Sequence, residues 1–182
     1  MNISFRQRAV RGFTLIELLI VVIIIAILAA IAIPQFSSSS GDAQEAALNA
    51  NLATVRSSIE LYRVQHANVF PGVNASNTGG TCTGAIGKGD AKSNIATSDQ
   101  LTAYSNATGG TCTVKSDLYP FGPYVRAIPA EPFGNVNTLA VVDGVLPAPN
   151  AVVNGWLYST VTGQFIVNSN ALDSKKQAYS TH

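Results

Sequence analysis

An unbroken apolar run from Phe13 to Ile33, FTLIELLIVVIIIAILAAIAI, constrains this chain more than any other feature. Of its 21 residues only Thr14 and Glu17 are polar. About 20 helical residues cross a hydrocarbon core roughly 30 Å thick, so the run is predicted to be a transmembrane helix. Arg6, Arg8 and Arg11 precede it, and no Lys or Arg follows before Arg56. The positive-inside rule then places the N-terminus in the cytoplasm and the body outside. An ordinary secretory signal has a shorter apolar stretch with a small-residue cleavage site after it. The Ala-rich end, AILAAIAIPQF, keeps removal of the whole helix as a competing reading. Glu17 weighs against it, because a carboxylate inside lipid is costly and by default functional.

The charge pattern narrows the partners. Eleven basic residues against ten acidic give a net charge of +1, and without the three leading arginines the body stands at −2. Such a body lacks the clustered Lys and Arg that nucleic acid requires, so no nucleic-acid partner is expected. Charged residues make up 12% of the chain, well below the quarter or so of an average soluble protein. Cys82 and Cys112 are the only cysteines, and an even count on the oxidising side of a membrane favours a disulfide between them. Each lies in a copy of the same hexapeptide, Thr-Gly-Gly-Thr-Cys-Thr, at 78–83 and 108–113, read as two turns that each deliver one cysteine.

Basic residues, a glycine and then Phe-Thr-Leu-Ile-Glu before a long apolar run, together Arg11-Gly12-Phe13-Thr14-Leu15-Ile16-Glu17, resemble the class III signal of type IV prepilins and of type II secretion pseudopilins. The resemblance covers residues 6 to about 36, including Pro34. It implies that a prepilin peptidase cuts between Gly12 and Phe13 on the cytoplasmic side and that Phe13 is then N-methylated. The helix is retained, and Glu17 serves assembly. It also implies identical subunits as partners in a helical homopolymer, together with an inner-membrane assembly platform, minor pilins and, before assembly, the lipid bilayer. The implied location is the bacterial inner membrane as a single pass, then a periplasmic or cell-surface filament.

Beyond Pro34, where a kink is expected, Leu48, Leu52, Val55, Ile59 and Tyr62 recur on one helical face. The organisation read from these signals is a leader at 1–12, a helix at 13–65 with a transmembrane half (13–33) and an amphipathic half (34–65), and a globular domain at 66–182. From Phe70 to about Leu139 the chain reads as a loop-rich insertion, with a short helix from Ser98 to Tyr104 capped by Ser98 or Asp99. Thr138 to Val142 is β-prone, and Trp156–Val161 with Gln164–Asn168 reads as a hairpin about a tight Thr162-Gly163 turn. The tail from Asp173 to His182 is polar and expected to be mobile. The fold class is α+β: a long N-terminal helix packed on a small antiparallel sheet, in the manner of the pilins.

Two segments, Ser58–Gly72 and Gly122–Asn135, resemble major pseudopilins, although Phe133 stands where their tryptophan is expected. Their acidic calcium loop has no counterpart. Asp90, Asp99, Asp117, Asp143 and Asp173 are too scattered to specify a calcium site and read as surface carboxylates. His66 and His182 lack a ligand partner at i+4 and also read as surface residues, so no cofactor is expected, and calcium stays open without a clear site to support it. Asn74 and Asn106 head glycosylation triplets of a kind common by chance in an Asn- and Thr-rich loop. No nucleophile, base and orienting group are visible, so the chain is not read as an enzyme. The expected function is a structural subunit of a type IV pilus or a secretion pseudopilus, with a minor, ligand-binding tip pilin as the alternative.

Overall fold

The computed structural model describes residues 12–149, 155–173 and 175–182, with the side chains of residues 32–40 outside the described set. The leader residues 1–11 therefore lie outside it. Two compact units are present, Met1–Gly41 and Asp42–His182. Helix α1, Leu15–Gln65, contributes to both. Its backbone is helical through position 34, but the Pro34 side chain is among those outside the described set, and the expected kink falls with it.

In the first unit the Leu, Ile and Val side chains from Leu15 to Ile31 are exposed all round the helix, from 48% at Val21 to 85% at Leu15. A helix apolar on every side needs an apolar surrounding on every side. Among the described residues no helix is long and apolar enough to cross a membrane, the last described apolar side chain of this stretch being Ile31.

In the second unit the expected stripe is the core. Leu48, Leu52, Val55, Ile59 and Tyr62 are all at most 2% exposed. The first four pack with Leu101, Leu139, Trp156, Tyr158, Phe165, Val167 and Tyr179, while Tyr62 packs against His66 and Tyr124. Each such side chain contributes about 1.5–3 kcal/mol on burial, so the stripe and the strands facing it dominate the stability of this unit. Trp156 stacks on Phe165 at 5.0 Å and donates its indole N–H to the Pro129 carbonyl at 2.8 Å. The ring is thereby buried without leaving its donor unsatisfied.

Three strands form the main sheet: β3, Leu139–Val142; β4, Trp156–Ser159; and β5, Phe165–Val167. β4 and β5 pair antiparallel, with Trp156 opposite Val167, as expected of a hairpin. β3 pairs with β4 in parallel, Leu139 opposite Trp156, so the sheet is mixed rather than purely antiparallel. The physical reason is the connection: residues 143–155 are long enough to carry the chain back to the same end of the sheet, which a tight turn is not. The hairpin turn is also longer than the expected Thr162-Gly163 pair. Ser159 closes it, its N–H donating to Gln164 O and its hydroxyl oxygen accepting from Val161 N and Thr162 N.

The insertion is more ordered than its composition suggests. Helix α2 runs from Asn94 to Thr102, starting earlier than expected and capped by Ser93, whose Oγ accepts from Ala96 N at 3.0 Å. Strands β1, Tyr104–Ser105, and β2, Thr111–Cys112, form a small antiparallel pair. Gln100, fully buried, ties these pieces together: it accepts from Gly72 N and donates to Asn74 O and Gly109 O.

The tail corrects another expectation. It is docked on α1 rather than loose, with a short 3-10 turn at Tyr179–Thr181, Tyr179 buried against Phe133 at 4.3 Å, and Arg56 donating to the main-chain oxygen of His182 at 2.6 Å. An aromatic at Tyr179 gives this polar segment the apolar contact that holds it.

Candidate functional site: the start of the long helix

The segment that the sequence singles out, Gly12 to Glu17, forms a closed hydrogen-bond arrangement. Thr14 stands just before the helix, and Leu18 N donates to its carbonyl at 3.3 Å, the first turn of α1. The Glu17 N–H donates to Thr14 Oγ1 at 3.3 Å. In return Glu17 Oε2 accepts from both the Thr14 N–H and the Thr14 hydroxyl at 2.8 Å. This is a capping box, in which a Thr and the Glu three residues on satisfy each other's orphan donors at a helix start. Oε1 of Glu17 takes no part in these bonds. Thr14 is absent from the residues that sequence reasoning assigns a role, although the Thr-x-x-Glu spacing ahead of an apolar run is a readable signature.

Gly12 lies immediately before this box. Its φ is not in the left-handed region, and a side chain built there would meet nothing within 4 Å. Among the described residues nothing therefore demands glycine at position 12. Phe13 is 78% exposed.

The two cysteines are joined, with their Cα atoms 5.8 Å apart and a sequence separation of 30. The identical hexapeptides that carry them adopt different structures. The second supplies β2, whereas the first is an irregular bend. They also touch: a Cβ on Gly110 would collide with the Thr78 carbonyl, so that glycine allows the two backbones to approach. Asn74 and Asn106 help hold this region. The Asn74 amide donates to Thr108 O, and the Asn106 side-chain oxygen accepts from Thr108 and Gly110.

Neither histidine is a surface residue. His66 is 2% exposed, stacked on Tyr62 at 3.7 Å between ring centroids. Its Nδ1–H donates to the Tyr62 carbonyl at 2.9 Å, which leaves Nε2 to accept from Ser105 Oγ at 3.2 Å. Burial lowers its pKa, and hydrogen bonds to the backbone of Tyr62 and Asn106 offset part of that. His182 packs beside Asp173, itself only 8% exposed and no surface carboxylate. Tyr62 stands at helical i, i+4 spacing from His66, but Ser105 lies 39 residues away and Asn49 133 residues from His182, contacts that no spacing rule reveals.

Residues 7–33 match the prokaryotic N-terminal methylation motif. The type IV narrow pilus major component PilA5 of Thermus thermophilus is 38% identical over 111 residues, which cover 60% of this chain and 84% of that protein. No solved structure gives a significant match. A capped, all-round apolar N-terminal helix on an α+β body defines a pilin-type subunit. The chain belongs to the type IV pilin family.

Proposed function

We propose that this chain is a major structural subunit of a type IV pilus. It enters the inner membrane as a prepilin through residues 13–33, with the basic leader in the cytoplasm. A prepilin peptidase cuts it between Gly12 and Phe13, Phe13 is N-methylated, and the helix then packs among identical subunits with the help of an assembly platform and minor pilins. The observation that carries this reading is the helix start: a capping box directly after the expected cut, followed by apolar side chains exposed on every face. Such a surface is stable only in lipid or against copies of itself. The pilus is favoured over a secretion pseudopilus by the similarity to a pilus major component.

Cleavage supplies the test. Because the fold does not need glycine at position 12, Gly12→Val should leave folding and insertion intact while blocking processing and methylation. Intact mass of the wild-type filament protein should begin at Phe13 and carry one methyl group. A mature protein beginning after Pro34 overturns the reading. Surface filaments lost on gene deletion, with secretion unchanged, support the pilus; the opposite pattern supports a pseudopilus.

A further inference from the structure

We propose a zinc-class divalent cation site where the docked tail meets helix α1, built from Glu45, Asp173 and His182. One carboxylate oxygen of Glu45, one of Asp173 and a ring nitrogen of His182 all lie within 4.8 Å of one another. All three residues belong to the Asp42–His182 unit.

The hydrogen bonds around the cluster prepare it for a cation. His182 Nδ1–H donates to Asn49 Oδ1 at 2.9 Å, which turns Nε2 inward toward Asp173. A ligating histidine almost always donates its other ring N–H in this way, which fixes tautomer and ring orientation. Asp173 is held just as firmly. Its Oδ1 accepts from the backbone of Lys175 and Gln177, so Oδ2 is the oxygen left to face His182. Asp173 is more than nine-tenths buried, and its Oδ2 lies within hydrogen-bond distance of His182 Nε2, where a bound cation would take the place of a bridging proton.

The spacing fits an ion between them. His182 Nε2 and Asp173 Oδ2 are 3.3 Å apart. Two ligands on a tetrahedral zinc, each about 2.0–2.2 Å from the metal, stand roughly 3.3–3.5 Å from one another. One imidazole and two carboxylates form a donor set suited to zinc, with Glu45 and His182 only partly buried so that water can reach a fourth position. Calcium would require six or more oxygens, which this cluster does not offer. The ion would pin the tail, through Asp173 and His182, to the helix at Glu45.

Tag-free full-length protein in detergent, stripped with EDTA and dialysed against micromolar Zn²⁺, provides the test. Wild type should retain one zinc per chain by elemental analysis and gain several degrees in Tm, and excess Ca²⁺ should not displace the metal. His182→Gln and Glu45→Gln should each lose the bound zinc and the Tm gain while keeping the wild-type circular dichroism spectrum. Asp173→Asn serves as a third variant if its turn survives. Wild type without bound zinc, or His182→Gln retaining it as wild type does, overturns the site. Displacement by Ca²⁺ overturns the zinc-class assignment. None of these outcomes bears on filament assembly.

Discussion

At the scale of single residues, the proposed function gives Glu17 two tasks that can be pulled apart. As a capping-box partner it needs only an acceptor at the third helical position, a role glutamine also fills. As a charge partner for the new amino group of Phe13, in its own chain or a neighbouring copy, it must be ionised. An unpaired charge in a filament core of low dielectric costs several kcal/mol, so the pairing would fix axial register. Glu17→Gln should therefore insert and be processed normally yet build few filaments. Thr14→Ala keeps the charge, loses about 1 kcal/mol of capping, and should assemble at reduced yield. Counting filaments by electron microscopy separates the two, and wild-type numbers from Glu17→Gln would reduce the carboxylate to a cap. Glu17 is legible in the sequence because an acid in an apolar run is conspicuous. Thr14 is legible only through its spacing of three residues from that acid, a weaker signal that the acid itself overshadows.

At the scale of elements, the insertion shows where sequence reading stops. The stripe from Leu48 to Tyr62 is readable because helical periodicity is repeated over several turns, and the hairpin because β-branched and aromatic residues cluster there. The region from Phe70 to Leu139 has no such period; its order comes from individual contacts such as Gln100 with three backbone partners. The Cys82–Cys112 bond closes a 30-residue loop within it. Chain-entropy reasoning gives that closure roughly 3–4 kcal/mol. Reduction should accordingly lower the denaturation midpoint of wild type, and the Cys82→Ser, Cys112→Ser pair should start at the lowered value and be insensitive to reductant. An unchanged midpoint on reduction would show that the loop is held by its hydrogen bonds alone.

For the whole molecule, the buried histidine sets a pH limit. Because the folded state depresses the pKa of His66 below its ordinary 6.5, the unfolded chain takes up that proton first. Stability is then fully present above about pH 6.5 and declines as pH falls towards the folded value. Unfolding of the detergent-solubilised protein at a series of pH values from about 7.5 to about 5.5 should show this decline. His66→Asn should be less stable at neutral pH but nearly flat across the same interval. A wild-type profile as flat as that of the variant would mean that His66 protonates without cost. Its burial is not legible in the sequence because the residues that enclose it, Ser105, Phe121 and Tyr124, come from the aperiodic insertion.

The docking of the tail on α1 also has a consequence for how the chain reaches this state. Arg56 meets the main chain of His182 across 126 residues, and Asn49 meets its ring across 133. Contacts so distant in sequence delay folding, since a long loop must close before they form. Synthesis delivers Leu48, Leu52, Val55 and Ile59 well before Trp156, Phe165 and Tyr179, the aromatic residues of the core they join. Throughout that interval the stripe is an adhesive surface with no native cover. Slow arrival of the C-terminal strands should therefore raise clumping of newly made subunits by this face, and fast arrival should lower it.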